Sequence, residues 1–519
     1  MRGPQDVTEA GLHPLAESKS VFASCDTRRR FLLAAVIGLF CLLTAIVPVY
    51  RAFHVLEVNY NEGWNVYLGI AASHHLPLYA AKYSWTPVVY PALSFYVMAE
   101  LSKVTKDYLY TGRVVSLASL LMCCILVGAI TKRVTGSILP AFLSGCFCLA
   151  IFCTAGTEYV GMDDPQMFAQ VFFLAGLLLY VSREPDAVCL GGTAFLFVLG
   201  GTIKHSLVYF PLAVFLDLCL VSGRRALQFL AYGLFFLGAA IAFNIRVGGP
   251  FFVANILMPR SYSLPLAIDH FLSMYGQLQL PLAAAAIAAT RFRGNAALRA
   301  VSIWFVVSLV IGGAFAGTAG VNNNAFFGNF LSMSVLVGVL IDFARARSSQ
   351  SAPRMAWLEL VLPVVLFGSL LFPLQASVGV VRPSEEFRAI QMQQARFEKQ
   401  VRILQEQPGP ALCNSLLRCY LAGKPYTVSP FDSANLVRLG KLDGGEIVGK
   451  IQRGEYGAIQ LDRPLEFYPR PLILSERTPR VVLDAIGKYY VPILEDPDCA
   501  IYVPGKMRMA GAQTVGLFR

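Results

Sequence analysis

The chain has 519 residues, of which 56% are hydrophobic and only 14% charged; a soluble protein carries about 25% charged residues. With a mean hydropathy of +0.57 and long apolar stretches separated by short basic punctuation, it reads as a polytopic helical membrane protein and not as a soluble enzyme. The net charge of +11 does not mark a nucleic-acid binder, because the arginines and lysines sit between apolar runs and not in a groove interleaved with aromatics.

In chain order, residues 1–30 form a polar tail ending in Arg28 to Arg30. FLLAAVIGLFCLLTAIVPVY, 31–50, is long enough to cross a bilayer and too long for a signal-peptide core, and it lacks a small-residue cleavage site; an uncleaved first helix is expected. Residues 51–112 hold the first loop and juxtamembrane helices. Within them TPVVYPALSFYVMAELSKV, 86–104, is expected to be half-inserted, since it carries two prolines and is flanked by Lys103 and Lys106. Further spans are expected near 113–131, 136–155, 166–182, 187–202, 205–221, 225–244, 277–290, 299–317, 325–343 and 356–376, about eleven in all.

With the N-terminus inside, each inner loop is basic, among them Lys132 with Arg133, Arg183, Arg224 with Arg225, and Arg291 with Arg299. That alternation follows the positive-inside rule and leaves the C-terminus outside. The membrane part then runs over 31–379. From 380 to 519 the texture changes to a small extracytoplasmic α/β domain: EEFRAIQMQQARFEKQVRILQEQ has helical periodicity, AIQL and RVVLDAI read as strands, and DGG as a turn. Of the twelve cysteines, Cys413, Cys419 and Cys499 lie in this part. CNSLLRC can close a small disulfide there, with Cys499 as the competing partner; no pair has zinc spacing.

Four polar sites are expected on one face. Glu62 lies in VNYNEGWNVYLG just after the first span. Asp163 and Asp164 lie in TEYVGMDDPQMFAQ, where Pro165 suits a first helical turn and makes Asp164 a natural N-cap. Lys204 and His205 lie in GGTIKHSLVYFP, and Asn322 and Asn323 in GTAGVNNNAFFGNF. Capping alone accounts for Asp164, snorkelling for Lys204 and turn chemistry for the asparagines; convergence of several on one membrane face is the functional hint.

At these residues the sequence resembles the C superfamily of polytopic glycosyltransferases, and within it the bacterial lipopolysaccharide sugar transferases of the RgtA/B/C/D type, with protein O-mannosyltransferases and the lipid A aminoarabinose transferase as relatives. NEGWNVYLGIAASHHLPLY resembles the family's Asp-Glu loop, GMDDPQMFAQ its acidic helix start, TIKHSLVYFPLAVFL its Thr-Lys hairpin, and VSPFDSANLVRLGKLDGGEIVGKIQRGEYGAIQLD its small C-terminal domain. The resemblance implies an inverting transferase in the bacterial inner membrane. It would move a monosaccharide from a polyprenyl-phosphate donor to an extracytoplasmic glycan, lipid or protein. Glu62 would be the general base and Asp164 the second catalytic carboxylate. Lys82 and Lys204 would face the donor phosphate, ahead of Arg113, Arg246 and Arg260. Asn61, Trp64, Trp85, Tyr90, Asp163, His205, Asn322 and Asn323 would bind substrate. No cofactor is required, and a divalent cation is optional. One departure is Asn61, where the family often has the aspartate taken as base. An amide cannot accept the proton, which leaves Glu62, Asp164 or a catalytically silent glycan-binding scaffold. A transporter or translocase of lipid-linked sugar is the other alternative; mid-helix charges and paired broken helices, its usual marks, are not evident.

Overall fold

The structure is a computed structural model and describes residues 14–291, 294–350, 358–372, 380–469 and 476–505. The start of the predicted tail, part of the last predicted span and the expected boundary at 379 lie outside these residues.

The first apolar stretch continues a helix, α1 (Pro14–Ala52). Beyond a reversal at 53–60 come two short helices, α2 (Asn61–Ser73) and α3 (Leu93–Thr105), of 13 residues each. At 1.5 Å per residue each reaches about 20 Å, short of the hydrocarbon core. The helices α4 (Tyr108–Thr135), α5 (Ile138–Thr154), α6 (Pro165–Ser182), α7 (Ala187–Gly201), α8 (Tyr209–Val221) and α9 (Gly223–Gly248) follow. After them come α10 (Phe252–Ile256), α11 (Leu264–Gln277), α12 (Gln279–Ala289), α13 (Ala296–Phe315), α14 (Phe327–Gln350) and α15 (Leu358–Gly368).

Among the described residues six helices are long and apolar enough to cross a membrane, or seven if α11 and α12, bent by 88° at their junction, count as one. α5, α7, α8 and the stretch Glu359–Leu371 are apolar but no longer than 17 residues. The chain is thus a multi-pass membrane protein. Helices occupy the predicted stretches, but length alone supports six or seven crossings where about eleven were expected. α14 lies at the centre, with 83% of its apolar window inside the protein, against 11% for the peripheral α9. α4 and α5 approach closely at Gly128 and Gly145, where a Cβ would stand 2.9 Å from the carbonyl oxygens of Ala141 and Cys124. Small residues permit such backbone contact between membrane helices.

The amphipathic helix Pro383–Glu406 leads to a four-stranded sheet of β1 (Ala411–Cys413), β2 (Ala458–Leu461), β3 (Tyr490–Asp496) and β4 (Cys499–Pro504), in the order β1-β2-β4-β3. β1 pairs parallel with β2, and the other two pairings are antiparallel. AIQL is the expected strand, whereas RVVLDAI is helical, within Arg480–Tyr489. Val482, Leu483 and Ile486 are buried there, Asp484 pairs with Arg480 on the other side, and the preceding Pro479 suits a helix start. The three-to-four spacing outweighed the β-branched pair. DGG likewise begins a helix, Gly444–Gln452, capped by Asp443, whose carboxylate accepts from the N–H of Gly445. Cys413 and Cys419 form a disulfide, and Cys499 is a buried free thiol.

This C-terminal part sits on α2 and on the coil that precedes α3. Tyr67 donates to the carbonyl of Lys424 at 2.6 Å, and Trp85 donates through Nε1 to Glu446 at 2.7 Å. Gly63 makes the closest approach: a Cβ there would lie 2.1 Å from the backbone nitrogen of Leu417. Gly63→Ala is therefore expected to unseat the C-terminal part at a cost of about 1–3 kcal/mol, the usual penalty of overpacking. Limited proteolysis of the purified variant checks this, by faster release of a C-terminal fragment than from wild type.

Candidate active site

The ends of α1, α2, α4, α6 and the α7–α8 turn meet at one place, and the carboxylates found there differ in how they are held. Glu62, in the first turn of α2, is 0% exposed. Its Oε1 and Oε2 accept from Nε and Nη2 of Arg113 at 2.7 and 2.8 Å, a two-pronged ion pair. The same carboxylate accepts the N–H of Val58 at 2.8 Å and that of Asp163 at 3.2 Å. Arg113 spends its remaining donors on the carbonyls of Ala52, His54 and Leu56. The pair thus clasps the end of α1 to α2, α4 and the α6 entry. Glu62 and Asp164 are linked through Asp163, whose N–H donates to Glu62.

Asp164 is the N-cap of α6, accepting from the N–H of Gln166 at 2.7 Å. Both of its oxygens also face the Lys204 ammonium, at 3.0 and 3.3 Å. Lys204 lies 3.3 Å from the Tyr90 hydroxyl and 4.5 Å from that ring's centre. Burial lowers the Lys204 pKa, and Asp164 opposes the shift.

Asp163 is different. Its backbone is fixed by Glu62 and by Asn65, whose Nδ2 donates to the Asp163 carbonyl at 2.6 Å. Its side chain lies flat on Gly112 of α4, where a Cβ would be 2.0 Å from Oδ1, and has no hydrogen-bond partner among the described residues. Burial, then the neighbouring carboxylates of Glu62 and Asp164, push its pKa well above the ordinary carboxylate range, with Arg113 opposing. Asn65 Oδ1 and Ser94 Oγ, both buried, are also without partners. All three residues line one small cavity with Phe95, Met98 and Phe168.

A second, narrow cavity of about 30 Å³ is lined by Tyr60, Asn61, Trp64, Tyr90 and Arg260 and closed by Ser429–Asp432 of the C-terminal part. Trp64 meets Tyr90 edge-on at 5.0 Å. Beyond it an apolar cavity of about 720 Å³ opens between α7, α8, α9 and α10, walled by residues such as Phe197, Phe229, Leu234 and Phe252. His205 stands on its rim. Burial, Arg260 and Lys204 lower the His205 pKa to about 4, so the ring is neutral, and its Nδ1 has no partner among the described residues.

Several predicted residues lie elsewhere. Lys82 is exposed against the Tyr83 ring, and no contact joins it to Lys204. Trp85 packs on the core of the C-terminal part and accepts the Ser429 N–H through its carbonyl, so it fastens the two parts together. Asn322 donates to Glu158 at 3.1 Å, and Asn323 lines a separate cavity beside Arg51. Their neighbour Asn324 pairs with Gln166, so this run braces the start of α6. Arg246 is exposed. The sequence reading missed the pairing of Arg113 with Glu62, the polar groups of Asn65 and Ser94, and the contribution of Phe431 and Asp432. Pro430 before Asp432 was the available signal for a helix start there. Among the described residues no group of three or more His, Cys, Asp or Glu side chains can hold a metal ion.

The fold is similar to that of solved structures of ArnT and of the archaeal oligosaccharyltransferase AglB. No family model and no curated protein sequence matches the chain, so the likeness is structural. The structure superimposes on ArnT, the lipid A aminoarabinose transferase, from Cupriavidus metallidurans bound to undecaprenyl phosphate. That match has a TM-score of 0.56 and 12% identity, and it covers 90% of this chain and 98% of that one. The apo form of the same protein gives a TM-score of 0.57 at 12% identity, over 90% of this chain and 97% of that one. The archaeal oligosaccharyltransferase AglB from Archaeoglobus fulgidus, in complex with an inhibitory peptide and a dolichol-phosphate, gives 0.51 at 11% identity, over 89% and 73%.

Proposed function

We propose that the chain is an inverting glycosyltransferase of a bacterial cell membrane, moving a monosaccharide from a polyprenyl-phosphate donor to an acceptor hydroxyl on the extracytoplasmic side. The observation that carries this reading is the buried carboxylate of Asp163, whose side chain makes no hydrogen bond among the described residues and which adjoins the Asp164–Lys204 pair, in a chain that also holds a large apolar cavity. Two proteins of the same fold were solved with undecaprenyl phosphate and dolichol-phosphate, and the apolar cavity between α7 and α9 offers such a tail a place. The C-terminal part then faces the same side as the cleft.

Both oxygens of Glu62 are committed to Arg113 and to two backbone N–H groups. Asp164 is committed to a cap and to Lys204. We assign the base to Asp163, held in place by Glu62. The acceptor hydroxyl attacks the anomeric carbon, its proton passes to the Asp163 carboxylate, and the bond from that carbon to the phosphate oxygen breaks with its electron pair leaving on the phosphate. Lys204 and Arg260 offset the developing charge. A divalent cation is optional in this scheme. The acceptor class, whether glycan, lipid or protein, is fixed by none of these residues.

Incubation of the purified protein with a panel of polyprenyl-phosphate sugars and envelope extract, followed by mass spectrometry, tests the reading. Sugar transfer supports it, and solute uptake into proteoliposomes without transfer overturns it in favour of a transporter. The two shifted groups give the pH profile a sign. Asp163 must be ionised, and its pKa is raised, so the rate is expected to fall on acidification at a pH above the usual carboxylate range. Lys204 must be charged, and its pKa is lowered, so the alkaline loss comes earlier than for an ordinary lysine. Initial rates against pH check both limbs.

A further inference from the structure

Two ion pairs in this region are built differently. Arg113 grips Glu62 with two short bonds in full burial. Arg260 touches Asp432 through one contact at 3.4 Å, with its side chain 25% exposed to the cleft, and spends a second donor on the Ala319 carbonyl at 3.3 Å. Asp432 comes from the C-terminal part, far along the chain, on a segment whose position is tightly set. The Ser429 N–H donates to the Trp85 carbonyl at 2.6 Å, the Ser429 hydroxyl donates to Asp432 Oδ2 at 3.1 Å, and the Phe431 ring covers Gly320. The segment thus presents a carboxylate to the cation whose charge also reaches Lys204, His205, Tyr60 and Tyr90.

We propose that Asp432 is an internal anion that occupies Arg260 in the empty cleft and is displaced by the phosphate of a polyprenyl-phosphate ligand. This rests on the function proposed above and deepens it. Asp432 competes with the ligand for one guanidinium, so binding must break the Arg260–Asp432 contact, and the contact re-forms when the lipid phosphate leaves. Burial raises the Asp432 pKa while Arg260 opposes the shift, as suits a pair that a more strongly charged oxyanion can replace. A loose single contact is open to such exchange, whereas the forked Glu62–Arg113 pair is not.

The test is titration of the purified full-length protein in nanodiscs with undecaprenyl phosphate. Asp432→Asn keeps the shape and removes the competing charge, and its Kd is expected to fall about tenfold, the scale of one modest charge contact. Asp432→Glu retains the charge and is expected to stay near wild type. Ser429→Ala removes the hydroxyl that steadies Asp432 and is expected to shift the Kd in the same direction as Asp432→Asn, so the result does not hang on the folding of one variant. Binding by wild type with equal or weaker binding by Asp432→Asn and Ser429→Ala overturns this inference and leaves the proposed function standing. Absence of binding by wild type and variants alike overturns both.

Discussion

Replacing Asp163 with asparagine is expected to lower sugar transfer by on the order of a hundredfold or more, the usual scale for losing a general base. The melting temperature should hardly move. The Asp163 side chain makes no hydrogen bond that the amide would break, and its backbone contacts to Glu62 and Asn65 are untouched. Neutralising a carboxylate held close to Glu62 and Asp164 removes like-charge repulsion, so a small gain in stability is the expected sign. Turnover measured at saturating donor, together with the pH profile, distinguishes the base from a binding group. Asp163→Asn should lose the acidic limb along with the rate. An Asp163→Asn protein with wild-type turnover removes Asp163 from the chemistry.

The second large effect falls on stability. Glu62→Gln leaves the Arg113 guanidinium buried without its counter-charge, and breaking a buried pair from one side costs about 3–5 kcal/mol. The variant is expected to melt well below wild type, or to fail to accumulate in the membrane. Arg113→Met with Glu62→Gln, which removes both charges, should recover part of that loss. Fluorescence-detected thermal unfolding of the single and double variants measures this. If Glu62→Gln instead folds with wild-type stability and yet transfers no sugar, the base is Glu62, and Asp163 is the positioning group.

These two expectations show how far the residues could be read without coordinates. The convergence of positions 62, 163, 164 and 204 was legible because charged groups at the ends of apolar helices have few places to go. Pro165 also identified Asp164 as a cap, yet the catalytic role was expected of Asp164 and only substrate binding of Asp163, because nothing in the doublet says that Lys204 takes the oxygens of Asp164. What was hidden is partnership. A single Arg113 at the start of an apolar run reads as a further cation for the donor phosphate, and nothing local says that it folds back across 51 residues onto Glu62. Trp85 and Lys82 looked equally suited to a substrate because the coil that carries them lies near the cleft in sequence. Only the position of Glu446 turns Trp85 into a fastening. In the C-terminal part the error at RVVLDAI came from weighting β-branched residues over spacing, and the correct period was visible in Val482, Leu483 and Ile486.

The wall formed by residues 429–432 has a consequence for how the protein matures. Tyr60 and Asn61 are synthesised early, while Phe431 and Asp432, which complete the same cleft, leave the ribosome only after all fifteen helices α1–α15. A nascent or prematurely terminated chain therefore has an unfinished chamber, and competence for chemistry arrives only with docking of the last-made segment.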